Sequence, residues 1–440
     1  MSVADELIAF LQARPTSDGA TVVGWRFEVA DGSSLRVGIR DSELGGPYEG
    51  PGVALRLGGS LELHWSDGRL TRASADRRAI TDPASALDEW RATAFVPRNG
   101  MLPPLAEPAQ LPTVEVLDPE LAAAVNGDPS TILALLASVG TAASSGGARR
   151  TDAVLRASRT QRNVATSRGF RAAWEETAFG LDLWIDEVGG ASYERRALPS
   201  SERIVRLSAD AVALASQLRR TEPLPDGARG VLFSPGAVDA LIGRFLLPNL
   251  LGRSIRDGRS LYTRAELEAR QKVLREDLNL VIDTTLPFEL ATAPCSPEGV
   301  PAGRVKLIDG GRLGWPVVEL ETAADLGYPP TPRPRGRPHA LLESALPSLE
   351  WDEALALLGT GIVVRDLPGL HTQPTRRAAY ALVTPDAQAV RNGLSGGRCA
   401  VRLAGSLADH VSHPSSRLVR ISGVTGCGLL VLDGVQLLPA

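Results

Sequence analysis

The segment Asp409–His413 holds the residues most able to bind a metal in this sequence. Asp409, His410 and His413 offer a carboxylate and two imidazoles, with the histidines spaced i, i+3 as on one face of a helix. These are ligand types that zinc accepts. The exposed polar end of a short helix accounts for the same pattern, so the residues alone leave both interpretations open.

A second candidate is the loop that contains Gly369, Leu370, His371 and Thr372. An imidazole beside a hydroxyl group, with Arg376 and Arg377 close behind, could line a cavity that holds a peptide, because loops on a rigid scaffold often carry binding residues. A solvent-exposed loop histidine would have the same sequence. We therefore treat the four residues as candidate peptide-cavity residues.

Cys427 lies between Gly426 and Gly428 and is the third candidate. A thiolate is a strong zinc ligand, yet a lone cysteine without nearby histidines is more typical of a small buried apolar residue. A hydrolase site assembled from His371, His410 and Cys427 is one hypothesis that follows, and it would require bound metal.

Other familiar catalytic motifs are missing from the sequence. Ser234 precedes Pro235, a combination typical of a helix cap followed by a first-turn proline, and no Gly-x-Ser-x-Gly elbow surrounds it. No phosphate-binding loop or dinucleotide fingerprint occurs. Pro334–Pro338 (PRGRP) is similar to an AT-hook, whose arginines enter an A·T-rich minor groove. The formal net charge of -4 opposes phosphate binding, so DNA contact is not favoured.

Length and composition predict a multi-domain protein of the cytoplasm. A chain of 440 residues exceeds one ordinary core. Its three cysteines form no CxxC pair, which favours a reducing compartment. Asp5 and Glu6 interrupt the apolar N-terminus, which indicates an amphipathic helix instead of a signal peptide. No apolar run reaches the roughly 20 residues of a membrane span.

The hydrophobic pattern predicts an α+β fold with an antiparallel N-terminal domain with helices, a central α/β segment and a β-rich C-terminal domain. We place the domains at residues 1–96, 116–222 and 226–440. Short apolar runs separated by Gly, Asp and Ser predict strands. In the first half these are Thr21–Val29, Leu35–Ile39, Val53–Leu57, Leu61–Trp65, Asp152–Ser158, Arg162–Thr166 and Phe170–Ile185.

Three helix signals are clear enough to give boundaries. Apolar residues at spacings of three and four predict a helix over Ser201–Arg219. A second helix begins after the cap Ser234 and ends at Pro248. Thr263 and Glu266 fit a capping box that opens a third.

From about residue 226 onward, the order of landmarks resembles the TldD/PmbA (TldD/TldE) family. The matching segments are Val231–Gly236 leading into a helix, Ser296–Pro301, Leu307–Leu313, Glu353–Leu355 running into Gly361–Val364, Gly369–Thr372 and Leu429–Val435. Upstream, Val164–Gly169 is similar to a turn of the family's central domain. The segment after Thr372 departs from the pattern of many members, which leaves substrate contacts open.

The resemblance implies a role in peptide hydrolysis, but without the family's zinc motif. Active TldD-type members carry His-Glu-x-x-x-His on the helix after the Pro-Gly turn, and a cysteine near the C-terminus. The corresponding helix here, Ala237–Leu247, contains no His, Glu or Cys. The chain is therefore similar to the TldE/PmbA-like branch, whose members pair with a TldD-like catalytic subunit. We expect no catalytic, cofactor or metal residues in this chain and zinc in the partner.

The predicted function is that of a non-catalytic subunit of a heterodimeric TldD/TldE-type zinc metallopeptidase acting on peptides. The β-rich C-terminal domain could offer a sheet edge to an extended peptide. The alternative is a standalone peptide- or DNA-binding protein derived from the family.

Overall fold

The computed structural model describes residues 3–44, 52–98, 100–333, 340–421, 424 and 426–440. The AT-hook-like segment Pro334–Pro338 lies outside these residues. The chain forms two compact units: unit 1 comprises residues 1–212 and 284–303, and unit 2 comprises residues 213–283 and 304–440. The division into domains at 1–96, 116–222 and 226–440 stays a prediction.

Unit 1 is built on one antiparallel sheet with the order β5-β4-β2-β6-β7-β8, in which the short strands β1 and β3 also pair with β2. Its strands are β1 (Thr16–Ser17), β2 (Ala20–Arg40), β3 (Glu43–Leu44), β4 (Gly52–Trp65), β5 (Leu70–Asp76), β6 (Thr151–Thr166), β7 (Arg171–Ile185) and β8 (Gly189–Arg195). Its helices are α1 (Val3–Gln12), α2 (Arg77–Thr81), α3 (Pro83–Ala92), α4 (Pro119–Asn126), α5 (Ser130–Ser145) and α6 (Ser201–Leu218), the last extending into unit 2.

Several predicted strands of unit 1 are joined into longer ones. Thr21–Val29 and Leu35–Ile39 belong to β2, and Arg162–Thr166 continues Asp152–Ser158 within β6. In β2 and in β4, where Val53–Leu57 and Leu61–Trp65 are likewise joined, the predicted breaks were wrong because glycines there allow close strand approach instead of forming turns. A Cβ on Gly59 would lie 2.1 Å from the carbonyl oxygen of Glu28, and one on Gly32 would lie 2.5 Å from that of Arg159.

The two faces of this sheet have opposite character. On one face, apolar residues of β2 and β4 such as Trp25, Phe27 and Leu63 form a core with α1 to α3. The alternate residues carry charge, and Arg26 and Glu62 form an ion pair on that second face. Successive side chains of a strand point to opposite faces of the sheet. The alternation that places the apolar residues in the core therefore also brings the charged residues together on the second face.

Unit 2 contains two sheets, with the orders β12-β11-β10-β13 and β14-β18-β19-β9-β15-β16-β17-β20. Their strands are β9 (Gly230–Phe233), β10 (Leu278–Asp283), β11 (Arg304–Asp309), β12 (Arg312–Leu313), β13 (Leu341–Ser344), β14 (Leu349–Glu350), β15 (Gly361–Val364), β16 (Ala379–Arg391), β17 (Leu394–Ser406), β18 (Arg417–Arg420), β19 (Gly428–Val431) and β20 (Gln436–Pro439). The helices are α7 (Pro235–Leu241), α8 (Leu247–Leu250), α9 (Gly252–Arg256), α10 (Arg264–Glu268), α11 (Leu320–Leu326), α12 (Trp351–Leu358) and α13 (Leu407–Ser412).

These elements confirm the α+β fold class and the β-rich second half. The helix Ser201–Leu218 and the capping box of Thr263 and Glu266 are also confirmed. Among the described residues, no single helix has the length and apolar composition of a membrane span, although the pair α4 and α5 meets both criteria together with a bend of 99°.

Candidate functional site

The site predicted from sequence is built where two parallel strands of unit 2 end. Strands β9 and β15 are adjacent and parallel, with Phe233 opposite Val364. The backbone N–H of Ser234 donates to the carbonyl oxygen of Val364 at 2.9 Å. The helix that follows β9 and the loop that follows β15 therefore start from the same edge of the sheet, where open sheets of parallel strands commonly bind ligands.

The helix after β9 is the one that the sequence resemblance matches to the motif-bearing helix of active TldD-type members. It consists of α7, a π-helical turn over Ile242–Leu246 and α8. The predicted cap is confirmed, because the Ser234 hydroxyl oxygen accepts from the N–H of Ala237 at 3.3 Å. Most apolar residues of this helix are buried in the main core of unit 2, among them Val238, Leu241 and Phe245.

The π-helical turn ends two residues before Pro248. Proline has no N–H, so Pro248 cannot donate to the carbonyl four residues before it. The N–H of Leu247 instead reaches back to the carbonyl oxygen of Ile242, which widens the turn. Turns of this kind are frequent at functional sites.

The unburied face of this helix offers few groups for chemistry. The positions that are not buried between Gly236 and Arg244 are Gly236, Asp239, Ala240, Gly243 and Arg244. Structural and catalytic zinc sites need at least three Cys, His or carboxylate ligands, whereas this face supplies one carboxylate and a guanidinium. The residues present do not fit a zinc ion. In the described part of the chain, no cluster of three or more His, Cys, Asp or Glu side chains is placed to hold a metal.

The loop after β15 contains the candidate peptide-cavity residues. Gly369 has a φ of 78°, which favours glycine, and Leu370–Thr372 form one turn of 3-10 helix. Leu370 is buried and anchors the turn, while His371 and Thr372 are exposed. The Thr372 hydroxyl donates to the carbonyl oxygen of Gly369 at 2.8 Å. Their role in holding a peptide stays a prediction.

Arg244 joins this loop to the helix, and sequence reasoning missed it. Its Nε donates to the carbonyl oxygen of Gln373 at 2.9 Å, and its Nη2 donates to the same oxygen. Farther along, the buried Asn249 side chain donates to the carbonyl oxygen of Thr375 at 3.0 Å. The only sequence signal was a single arginine inside the apolar helix AVDALIGRFLL. The sequence did not indicate which group this arginine contacts.

Replacing Arg244 with alanine is expected to release the loop with little effect on the rest of unit 2. Two donors to one carbonyl are lost, which costs about 1–2 kcal/mol. Hydrogen exchange by mass spectrometry should show faster exchange in residues 369–376, with Arg244→Lys intermediate because one donor remains. Arg253→Ala, an exposed arginine of α9, is the matched control. Unchanged exchange in the loop of Arg244→Ala would show that its other contacts, such as those of Leu370 and Asn249, are sufficient to hold it.

His410 of α13 and His413, which follows the helix, do not form the metal cluster that their spacing suggested. His410 is buried, and its Nε2 lies 2.7 Å from the Tyr380 hydroxyl oxygen. Nδ1 of His413 lies 2.7 Å from the Ser415 hydroxyl oxygen. The expectation of an exposed polar helix end was wrong for His410, because Phe233 and Tyr380 pack against its ring.

Cys427 is half-buried and hydrogen-bonded, which agrees with a structural role. Its Sγ donates to the carbonyl oxygen of Leu342 at 3.3 Å. Burial, reinforced by the nearby charges of Asp239 and Glu343, raises the pKa of the thiol to about 12. Because a zinc ligand or nucleophile must be a thiolate, this environment disfavours both roles. The three residues of the hypothetical hydrolase site therefore differ in environment. His371 is exposed, His410 is buried, and the thiol of Cys427 is protonated.

Comparisons with known proteins agree with this architecture. Residues 227–437 match the profile of the PmbA/TldA metallopeptidase C-terminal domain. Over 99% of this chain and 100% of the other, the fold is similar to the crystal structure of TldE from Thermococcus kodakarensis, with a TM-score of 0.79 and 16% identity. A search of curated proteins finds no match.

Two further crystal structures have the same fold, both of proteins named as candidate modulators of DNA gyrase. The one from Thermotoga maritima has a TM-score of 0.75 and 14% identity, over 99% of each chain. The one from Bacteroides thetaiotaomicron has a TM-score of 0.76 and 15% identity, over 100% of this chain and 98% of the other. The match over residues 227–437, together with the shared fold, supports a relationship with the TldD/PmbA family.

Proposed function

We propose that this protein is the non-catalytic, TldE/PmbA-like subunit of a heterodimeric TldD/TldE-type zinc metallopeptidase that acts on peptides in the cytoplasm. The observation that carries the proposal is the unburied face of the helix after Ser234. In a domain of a metallopeptidase family, this face presents Asp239 and Arg244, where active members carry His-Glu-x-x-x-His. Zinc and the general base then belong to a TldD-like partner.

In this proposal, the chain contributes the wall of the peptide site. Arg244 holds the loop of Gly369, Leu370, His371 and Thr372 in one conformation, which lowers the entropy lost when a peptide binds. The outer edge of β20 pairs with no strand in the described part of the chain. An extended peptide could add there as a further strand, since strand addition uses backbone hydrogen bonds.

Co-expression with a TldD-like protein that carries His-Glu-x-x-x-His tests the proposal. We expect a stable complex with chelator-sensitive peptidase activity on unfolded peptides, and activity lost when either chain is omitted. Zinc analysis should place the metal in the partner, and replacing the partner's motif glutamate with glutamine should abolish activity. A partner that is fully active alone, or peptidase activity of this chain alone, would contradict the proposal.

A further inference from the structure

A cavity of about 680 Å³ lies in unit 1 where strand β2 begins. Its walls come from the end of α1, residues 22–25, the turn between β6 and β7, and residues 102–105. The backbone holds one side together, because the N–H of Trp25 donates to the Ser167 hydroxyl oxygen at 3.1 Å and the N–H of Ser167 donates to the carbonyl oxygen of Trp25 at 2.8 Å. The volume is within the range of cavities that hold small molecules.

The ionisable side chains that line this cavity are all bases. They are Arg14, His64 and Arg168, and no described Asp or Glu lines it. Among the described residues, neither Arg14 nor Arg168 forms a hydrogen bond or ion pair through its guanidinium. In a chain whose formal net charge is -4, a cavity of this kind attracts anions locally. A carboxylate is the anion that a guanidinium pairs with most readily in proteins.

His64 adds a hydrogen-bond acceptor to the same wall. The residue is buried, and its Nε2 lies 3.1 Å from Oε1 of Glu62. Because an ionised carboxylate can only accept, Nε2 carries the hydrogen, and in the neutral ring Nδ1 is left as an acceptor. Nδ1 lies against Gly24, where a Cβ would come within 3.0 Å of it, and both residues line the cavity. No described group donates to Nδ1, so this acceptor is available to a ligand.

We propose that this cavity binds the C-terminal end of a peptide, with Arg14 and Arg168 contacting its carboxylate and its last peptide N–H donating to Nδ1 of His64. A peptide end carries an anion and an N–H donor on one residue, which matches the two kinds of group on the wall. A fatty acid or inorganic phosphate supplies the anion without the N–H. The ligand follows from the chemistry of the wall, so the inference does not depend on the proposed peptidase role.

The lining also indicates which C-terminal residue is preferred. Leu11, Leu102 and Leu105 belong to the same wall and can pack against the last side chain of the peptide. Apolar surface that leaves water on binding contributes to affinity, whereas an acidic or polar side chain would lose hydration there. We therefore expect an apolar last residue.

Isothermal titration calorimetry of the purified full-length chain with the tripeptide N-acetyl-Leu-Ala-Leu tests the inference. The peptide with a free carboxylate should bind about tenfold more tightly than its C-terminal amide, which is the combined effect expected of two exposed charge pairs. The double variant Arg14→Gln with Arg168→Gln should bind acid and amide equally, because the carboxylate has lost both partners. Both side chains are exposed, so the variant is expected to fold.

Two further ligands test the contact with His64 without altering the protein. An analogue in which an ester oxygen replaces the last peptide N–H should bind about fivefold more weakly than the tripeptide acid. Octanoate, which has the carboxylate but no N–H, should also bind more weakly. If either ligand binds as tightly as the tripeptide acid, the assignment to a peptide end is wrong.

The matched control is Arg77→Gln with Arg78→Gln, which removes the same charge from two exposed arginines of α2 that do not line the cavity. This variant should keep the tenfold preference for the acid. Equal binding of acid and amide by the wild type, no binding at millimolar concentration, or the same loss of preference in the control would overturn the inference. The tests use this chain alone, so their outcome is separate from that of the two-chain peptidase experiment.

Discussion

Replacing Glu62 with alanine is expected to lower the free energy of unfolding of unit 1 by about 3 kcal/mol. The Glu62 side chain is 3% exposed and has three partners. Its Oε2 lies 2.9 Å from Nη2 of Arg26 and 2.8 Å from Nε of Arg72, and its Oε1 lies 3.1 Å from Nε2 of His64. Alanine would leave these groups without their shared carboxylate.

The loss should fall at the lower end of the range for breaking a buried ion pair, which is about 3–5 kcal/mol. Arg26 keeps a second carboxylate, since its Nη1 lies 3.0 Å from Oε1 of Glu298. The side chain of Arg72 is 45% exposed and can be hydrated. The cost therefore comes mainly from Arg26 and His64, which remain in the interior with fewer acceptors.

Denaturant unfolding followed by hydrogen exchange in β2, β4 and β5 measures this loss. Glu175→Ala is the matched control, because Glu175 also lies on a strand of this sheet and pairs with Arg159 at 2.8 Å, but is 36% exposed. An exposed pair contributes about 1 kcal/mol or less. Equal losses in the two variants would show that burial of Glu62 adds nothing.

Acid should remove the same contribution. Burial by itself would raise the pKa of Glu62, but the hydrogen bond with His64 and the charges of Arg26 and Arg72 outweigh burial and lower it from 4.5 to about 2. A carboxyl with a depressed pKa stabilises the fold fully above the unfolded value and loses that effect as pH falls. Unit 1 should therefore weaken between about pH 4.5 and 2, and Glu62→Gln should weaken less steeply in that window.

The long strands of unit 1 show what local sequence could not reveal. Glycines at positions 32 and 59 have the composition of turns, yet they stand where neighbouring backbones approach too closely for a Cβ. Glycine is favoured both in turns and where two backbones approach closely. Only the strand that pairs with the glycine distinguishes these two cases, and that strand lies far away in the chain. The type of structure was predictable here, but its continuity was not.

The candidate site also has features that the local sequence predicts and features that it cannot predict. The cap at Ser234, the apolar helix after it and the missing zinc ligands were readable because each depends on neighbours in sequence. The pairing of β9 with β15 was not, since both are short apolar runs separated by more than a hundred residues. Arg244 acquires a role only through that pairing, which brings the carbonyl of Gln373 within reach.

Acidification from pH 6.5 to 4 is expected to destabilise unit 2 by about 3 kcal/mol, through His410. The residue is 1% exposed. Burial lowers its pKa from 6.5 to about 4, although the charge of Asp409 opposes this. Nδ1 of His410 is buried and has no hydrogen-bond partner among the described residues, so the interior offers nothing to a second N–H.

The sign follows from proton binding. Below pH 6.5 the unfolded chain protonates this histidine, whereas folded unit 2 keeps it neutral until about pH 4. Protons therefore favour the unfolded state across that interval, and the full stability is present only above pH 6.5. With its one proton on Nε2, the neutral ring donates to the Tyr380 hydroxyl oxygen, 2.7 Å away, and leaves Nδ1 without an N–H, so the folded state favours the uncharged form.

Hydrogen exchange in β16 and β19, measured from pH 7 to 4 and corrected for the intrinsic exchange rate, reports on unit 2 separately from unit 1. His410→Gln keeps a side chain that can bond to Tyr380 but does not titrate, so its stability should change little over this interval. His413→Gln, on the same segment and bonded to Ser415, is the matched control and should keep the wild-type slope. Most of this interval lies above the range in which Glu62 acts, so acid should weaken unit 2 first. A wild-type protein whose unit 2 is equally stable at both ends of the interval would contradict a neutral, buried His410.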